Sequence, residues 1–167
     1  MAVGALGTMA LRRPLAGGAG DGASDDGRRS ELVAWLSALS LAGLGQPTDL
    51  DPGREREAKG AAGAWLRLVD SGRHPAAWAQ AAPLLREEAG PVEWEAALRA
   101  VRAPLGRCYW RTLQSGTPAL GPSGAHRGPY LVLRFETVFE RRHPVVETVT
   151  TVQGPDGRWR VAAYFLG

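Results

Sequence analysis

The chain has 167 residues, enough for one domain with a hydrophobic core but not comfortably for two. Hydrophobic residues make up 44% and charged residues 22%, as in ordinary soluble globular proteins, which excludes a fibrous or wholly disordered chain. The net charge is only +3, and basic residues alternate with acidic ones, as in Arg54-Glu55-Arg56-Glu57, so we expect no nucleic acid among the partners.

The first 29 residues are rich in glycine and alanine and show no apolar periodicity, which is typical of disorder. Residues 32–44 are apolar but fall short of the roughly 20 residues that a membrane span needs. We therefore expect no transmembrane segment. The sequence predicts a disordered or leader segment over residues 1–53, with a short apolar helix at 32–44, and a single α+β domain over residues 54–167.

Two interpretations compete for the apolar run. Arg28 and Arg29 precede it and Ser40-Leu41-Ala42 offers a cleavage site, so residues 28–45 resemble a signal peptide if translation begins near Arg28. The protein is then periplasmic or secreted. Otherwise the run is a helix that packs on the domain or frays, and the protein is cytoplasmic. The single cysteine, Cys108, cannot form an internal disulfide and does not decide between the compartments.

Helical patterns come first in the domain, after a linker over residues 46–53. Apolar residues at helical spacing predict a helix over residues 61–69, which Gly72 ends. Pro75 begins a second helix that Pro83 kinks or shortens, and Pro91 begins a third that Pro104 stops.

The apolar period then changes to two. Strands are predicted over residues 108–114, 130–140, 145–153 and 159–166, with a loop over residues 116–129. Pro155-Asp156-Gly157 marks a hairpin turn, because Pro presets φ and Gly accepts a positive φ. Helices followed by sequential strands predict an α+β fold in which N-terminal helices pack on a bent four-stranded antiparallel meander sheet.

Several motifs in this order resemble a known family. They are AWLRLVDSG at residues 64–72, WEAALRAVRAPLG at 94–106, YLVLRFET at 130–137, VETVT at 146–150 and WRVAAYF at 159–165. They resemble a bacterial family catalogued as a domain of unknown function, number four thousand and nineteen, and the resemblance covers residues 61–166. It implies a cystatin-like or nuclear-transport-factor-2-like roll in a small exported protein without established activity.

Metal and cofactor chemistry have little support in the sequence. The histidines, His74, His126 and His143, lack metal-ligand spacing, and no glycine-rich phosphate loop follows a strand. Cys108 has no Cys-x-x-Cys partner, so a structural role is expected. We expect neither a metal nor a cofactor.

Charged residues on the predicted sheet are the remaining candidates. If the strands pair in order, Arg134 and Glu136 share one face with Glu147 and Arg160 of neighbouring strands, and Leu131, Leu133 and Phe135 lie on the opposite face. Arg134, Glu136 and Arg160 are candidate ligand-binding residues. Ordinary cross-strand pairs on a solvated face, each contributing under about 1 kcal/mol, are the simpler explanation.

The candidate catalytic residues are Glu147 and Tyr164. Rolls of the kind that the resemblance implies include a ketosteroid isomerase, in which a carboxylate base and a tyrosine act in an apolar site. Glu147, or Glu136 in its place, with Tyr164 would fill those parts if the carboxylate were desolvated.

Three hypotheses follow. The first is a non-enzymatic binding or structural module of the bacterial envelope that contacts a peptide, a partner protein or a small apolar ligand. The second is an acid–base enzyme acting on a small apolar substrate through Glu147 and Tyr164. The third is an accessory domain of a cytoplasmic assembly. Under the first, Glu147→Gln is expected to cost little stability, and a homodimer through the sheet face follows by analogy with such rolls.

Overall fold

A computed structural model describes residues 50–119 and 128–167. The expectations for residues 1–49, including the leader at 28–45 and the helix at 32–44, lie outside the described residues, as does most of the predicted loop at 116–129. The helices are α1 Pro52–Asp70, α2 His74–Gln80, α3 Pro83–Glu88 and α4 Pro91–Arg102, followed by a short 3-10 helix, Ala103–Leu105. The strands are β1 Cys108–Ala119, β2 Tyr130–Phe139, β3 Val145–Gln153 and β4 Trp159–Leu166.

The predicted α+β class is confirmed. Four antiparallel strands pair in chain order, β1-β2-β3-β4, so the sheet is a meander with β1 and β4 at its edges. Gly72 and Gly157 adopt φ of 72° and 76°, the positive values predicted for the end of the first helix and for the last hairpin. The bounds of β3 and β4 agree with the sequence pattern.

The first helix is longer than predicted. It begins at Pro52, inside the expected linker, because the Asp51 carboxylate caps it by accepting hydrogen bonds from the backbone N–H groups of Gly53 (2.9 Å) and Arg54 (3.1 Å). Asp followed by Pro is the usual signal for a helix start, and the prediction had counted both residues as linker. The second predicted helix is two short ones, since Pro83 begins α3 after an extended Ala82.

The core lies between α1, α2, α4 and one face of the sheet, here called the inner face. Apolar side chains of the helices pack against those of the strands there, with Trp65 at the centre. The Trp65 ring contacts the rings of Trp94 and Tyr164, with centroids 6.0 and 5.4 Å apart. Its indole N–H donates to the carbonyl of Ala77, so the buried polar atom is satisfied. Trp65 thus joins α1, α2, α4 and β4, which fixes the helices over one end of the sheet.

Candidate functional site

Strand register decides which charged residues share a face of the sheet. Phe135 lies opposite Glu147, whereas Arg134 lies opposite Thr148 and Glu136 opposite Val146. Glu147 is therefore on the inner face with Phe135, and the prediction that it shares a face with Arg134 and Glu136 is wrong. Alternation fixes faces within one strand only, and a shift of one residue between strands reverses them.

The fourth strand carries an irregularity that separates two more candidates. Val161 lies opposite Thr151 and Ala163 opposite Thr150, so the ladder shifts at Ala162. Without this bulge, Arg160 and Tyr164 would point to the same face, since they are four positions apart in one strand. With it, Arg160 lies opposite Val152 on the outer face, and Tyr164 lies opposite Val149 on the inner face.

The structure brings Glu147 and Tyr164 together. Both side chains are buried, Glu147 completely, and the Tyr164 hydroxyl donates a hydrogen bond to Glu147 Oε1. Arg102 Nη1 donates to the same carboxylate oxygen at 3.0 Å and to the Tyr164 hydroxyl at 3.2 Å. Glu136, the alternative base, is half-buried on the other face of the sheet and does not take part.

The second oxygen of the same carboxylate is also fully used. Glu147 Oε2 accepts a hydrogen bond from Arg111 Nε and one from Thr137 Oγ1, the latter at 2.6 Å. Four donors therefore surround the carboxylate, two on each oxygen. A carboxylate has about four lone-pair sites, so Glu147 has no accepting capacity left.

A second carboxylate completes the group. Asp70, the last residue of α1, accepts from both arginines: Arg102 Nη2 donates to Oδ1, and Arg111 Nη1 and Nη2 donate to Oδ2 and Oδ1 at 2.9 and 3.2 Å. Two arginines thus face two carboxylates, and the formal charge of the group is zero. We call Asp70, Arg102, Arg111, Thr137, Glu147 and Tyr164 the inner network.

The electrostatics of the inner network favour charged arginines and a neutral tyrosine. Burial lowers the pKa of Arg102, but Tyr164, Glu147 and Asp70 outweigh it, so that this pKa stands above its usual range. The pKa of Arg111 is raised in the same way, against burial, by its hydrogen bonds to Asp70 and Glu147. Burial, followed by the nearby Glu147 carboxylate, raises the pKa of Tyr164 well above its usual value. Tyr164 therefore stays protonated and donates.

Two helices and all four strands contribute side chains to this network. Asp70 ends α1, Arg102 ends α4, Arg111 and Thr137 lie opposite each other on β1 and β2, and β3 and β4 supply the remaining pair. The Arg102 guanidinium also lies 4.5 Å from the centroid of the Phe139 ring. The network thus joins six elements through hydrogen bonds between charged and polar side chains.

Sequence reasoning missed Asp70, Arg102 and Arg111. One signal was present: Asp70 lies in the last turn of a helix, where the macrodipole disfavours a carboxylate and favours cations. An acidic residue at that place indicates a cationic partner elsewhere. The second signal was alternation, since Arg111 occupies an inward position of β1.

The other candidates remain apart from this network. Arg160 forms an exposed ion pair with Asp156 of the hairpin turn, with 2.6 Å between Nη2 and Oδ2. Hydrogen bonds from Arg160 and from the backbone of Arg158 hold the pKa of Asp156 well below its usual range. Burial raises the pKa of the Cys108 thiol, which disfavours the nucleophilic thiolate. Within residues 50–119 and 128–167, no three His, Cys, Asp or Glu side chains are placed to hold a metal ion.

An exposed apolar patch lies on the outer face. Trp110 of β1 is 51% exposed and Val146 of β3 is 46% exposed, and Val138 lies between them on β2, opposite Trp110. Tyr109, next to Trp110 in the chain, is 58% exposed. We call these four residues the Trp110 patch. No helix in the described ranges is long and apolar enough to cross a membrane.

Comparison with known proteins identifies a family and nothing closer. Residues 61–164 match the family described as "Protein of unknown function (DUF4019)". No curated protein and no solved structure matches the chain. The match spans most of the described helices and strands, from α1 to β4, and includes all members of the inner network. The chain therefore belongs to this family of proteins of unknown function.

Proposed function

We propose that the chain is a non-enzymatic binding module that contacts an apolar segment of a partner protein through the Trp110 patch. One observation carries the non-enzymatic part: both oxygens of Glu147 already accept two hydrogen bonds each, and its side chain is fully buried. A general base needs a free lone pair within hydrogen-bond reach of its substrate. Glu147 lacks one.

The tyrosine of the predicted pair is occupied as well. The Tyr164 hydroxyl donates to Glu147 and accepts from Arg102, so its proton is not available to an oxyanion. The acid–base alternative is supported by one contact, the hydrogen bond between Glu147 and Tyr164. For catalysis it requires Arg102 and Arg111 to leave the carboxylate, and each also binds Asp70. The geometry therefore favours the binding module.

The Trp110 patch has the chemistry of a protein contact. Tryptophan and tyrosine combine a large apolar area with one polar atom, and they are enriched at the centres of protein interfaces. Exposed apolar groups that lie together on a soluble domain mark interaction surfaces more often than isolated ones do. Trp110, Val138 and Val146 lie on three adjacent strands and so present one continuous surface.

Side chains, rather than strand addition, are the proposed means of contact. β1 is an edge strand, but its ladder shifts between Cys108 and Trp110 and again between Leu113 and Ser115. Such bulges twist an edge away from regular pairing and protect it against added strands. A partner is therefore expected to bury the Trp110 indole instead of continuing the sheet.

Site-specific photo-crosslinking in the source cells tests the proposal. A photoreactive phenylalanine analogue replaces Trp110 in one variant and Val92, which is 74% exposed in the first turn of α4, in the matched control. We expect one partner adduct at position 110 that is absent at position 92. Equal adducts at both positions, or none at 110, would contradict the proposal, and an adduct of two copies would identify a homodimer.

Affinity measurements then separate binding from proximity. The segment crosslinked at position 110 is synthesised and titrated calorimetrically into the wild-type protein and into Trp110→Ser. A central interface tryptophan typically contributes at least about 2 kcal/mol, so we expect Kd to rise roughly 30-fold. Arg160→Ser on the same outer face serves as the control and is expected to change Kd less than about twofold.

A further inference from the structure

Two arginines are held beside the Trp110 patch at the end of the sheet. The backbone N–H of Phe139, which follows Val138 of the patch, donates to the carbonyl of Arg142 at 3.1 Å. The next N–H, that of Glu140, donates to the carbonyl of Arg107 at 2.8 Å. Arg107 directly precedes β1, and Arg142 lies in the connection from β2 to β3. The end of the central patch strand therefore has an arginine on either side.

The guanidinium groups of both arginines are open to solvent. The Arg107 side chain is 79% exposed and makes one long ion pair, with 3.9 Å between Nε and Glu140 Oε2. Arg142 is also exposed and has no ion pair in the described part of the chain. Arg141 Nη1 donates instead to the carbonyl of Ala103, at 3.4 Å. Three arginines and one glutamate leave two positive side-chain charges in excess at this border of the patch.

The opposite border of the patch carries a negative charge. Glu136 lies two residues before Val138 on the same outer face and directly opposite Val146. Arg134 shares this face, but at about 3.3 Å per residue it lies about 13 Å from Val138, twice as far as Glu136. Position 136 is about 13 Å from position 140, where the arginine border begins. The apolar patch thus separates a carboxylate from an excess of arginine.

We propose that the partner segment carries acidic residues on one side of its apolar anchor, the side that faces Arg107 and Arg142. This inference rests on the proposed function, since it names the chemistry of the segment that the Trp110 patch contacts. A planar guanidinium binds a carboxylate through two parallel hydrogen bonds, so both arginines suit acidic side chains. Acidic residues near Glu136 are repelled, so the two borders fix the direction of the segment as well as its composition.

A protein segment fits these charges better than an anionic lipid surface does. Exposed tryptophan, tyrosine and arginine also occur on proteins that bind lipid headgroups. Glu136 lies directly opposite Val146, however, so insertion of Val146 among acyl chains would bring a carboxylate to the same surface. A narrow segment covers the Trp110 patch and leaves Glu136 in water at its border.

Peptide selection tests the composition and direction of the segment. Random peptides displayed on phage are selected on the immobilised full chain, and peptides that also bind Trp110→Ser are removed. We expect the remaining peptides to contain Asp and Glu about threefold more often than the unselected library, because each exposed ion pair contributes up to about 1 kcal/mol. The acidic residues are expected on the same side of an aromatic or aliphatic anchor in all of them.

Titration of a selected peptide then assigns the attraction to the two arginines. Arg107→Gln combined with Arg142→Gln is expected to raise Kd about fivefold, the sum of two exposed ion pairs. Arg73→Gln combined with Arg158→Gln removes the same charge from exposed positions at the start of α2 and in the last hairpin, and is expected to change Kd less than about twofold. Replacing the acidic residues of the peptide by amides should weaken binding to the wild type and add little to the first variant.

Each possible result supports or overturns the inference. Peptides that depend on Trp110 but lack an excess of acidic residues, or carry them on both sides of the anchor, would overturn it and leave the proposed function in place. Equal losses in the two double variants would mean that the charge of the whole chain attracts the peptides. Failure to recover any peptide that depends on Trp110 would contradict the proposed function as well. Sedimentation with anionic phospholipid vesicles that Trp110→Ser abolishes would then assign the patch to a lipid surface.

Discussion

The two sides of the sheet reverse the usual placement of side chains. On the inner side, the buried Glu147 and Arg102 pair with each other and with the partly exposed Arg111 and Asp70, whereas on the outer side Trp110 is 51% exposed. Buried charges are costly unless every donor and acceptor is paired, and here the pairing is complete around Glu147. The exposed aromatic side chains, in contrast, are not covered by other apolar side chains within the described residues.

This contrast between paired charges on the inner face and exposed aromatic side chains on the outer face bears on which surface could bind a partner. Residue types alone favour the inner network as a site, since carboxylate, arginine and tyrosine are common catalytic groups. Its hydrogen bonds argue against that role and support the proposed function, because four protein donors already occupy both oxygens of Glu147. Apart from the Tyr109 hydroxyl, the Trp110 patch contains no group of these types, but its large apolar side chains are exposed. The proposed function therefore rests on which side chains are exposed to a partner and not on residue type alone.

Of the variants proposed, controls aside, Glu147→Gln is expected to lower the free energy of unfolding most. A small loss would contradict the contrast between the two sides of the sheet. The amide cannot neutralise Arg102 and Arg111, and its NH₂ group faces donors. Removing one member of a buried ion pair typically lowers the free energy of unfolding by about 3–5 kcal/mol. Urea denaturation followed by circular dichroism measures the loss.

Glu136→Gln is the matched control for that variant. Glu136 is half-buried on the outer face and takes no part in the inner network, so a change of less than about 1 kcal/mol is expected. The sequence alone had predicted a small cost for Glu147→Gln, on the assumption of a solvated sheet face. Equal losses of unfolding free energy in the two variants would support the earlier interpretation, in which Glu147 lies on a solvated sheet face.

Asp70→Asn is expected to give a smaller loss, because the Asp70 side chain is 25% exposed. It keeps the shape of the acceptor but removes the charge that faces Arg102 and Arg111. Hydrogen bonds to charged groups contribute about 1.5–3 kcal/mol, and partial solvation brings the expected loss to about 2 kcal/mol. Asp156→Asn, which weakens the exposed pair with Arg160, is the control and should cost less in the same urea titration.

Alkaline pH is expected to open the network through Tyr164. Its pKa in the folded state is raised, first by burial and then by Glu147, whereas in the unfolded chain it titrates near 10. The neutral hydroxyl therefore stabilises the fold fully below about pH 10, and that stabilisation is lost as the pH rises further. Tyr164→Phe should flatten the decline of the unfolding free energy between about pH 9 and 11.

Tyr130→Phe provides the comparison for the pH effect. Burial alone raises the pKa of Tyr130, whereas Tyr164 has a carboxylate beside it in addition. We therefore expect Tyr130→Phe to remove a smaller part of the alkaline decline. If both variants kept the wild-type slope, the titrating group would lie outside the two buried tyrosines.

Local chemistry made most of the fold predictable. The period-two pattern located β3 and β4, and prolines located the starts of the later helices. Gly157 required only the turn chemistry of a short hairpin. These features depend on residues a few positions apart, which the sequence displays directly.

The inner network was only half predictable, because it depends on distant contacts. Glu147 and Tyr164 were paired as candidates, but Arg102 lies 45 positions before Glu147, and no local pattern joins them. The face of Glu147 depended on strand register, and the separation of Arg160 from Tyr164 depended on a bulge. Register and bulges follow from packing of the whole sheet, which no single strand reveals.

Of the variants proposed, controls aside, Trp110→Ser is expected to change the free energy of unfolding least. It tests most directly whether the Trp110 patch, unlike the inner network, is dispensable for folding. The indole is 51% exposed, so its removal should lower the unfolding free energy by only about 1 kcal/mol. Trp94→Ser is the contrasting control, because Trp94 is 5% exposed beside Trp65, and emptying such a site costs about 3–5 kcal/mol. Urea denaturation measures both variants. A large loss in Trp110→Ser would mean that this side chain supports the fold, and the outer patch would then be structural like the inner network.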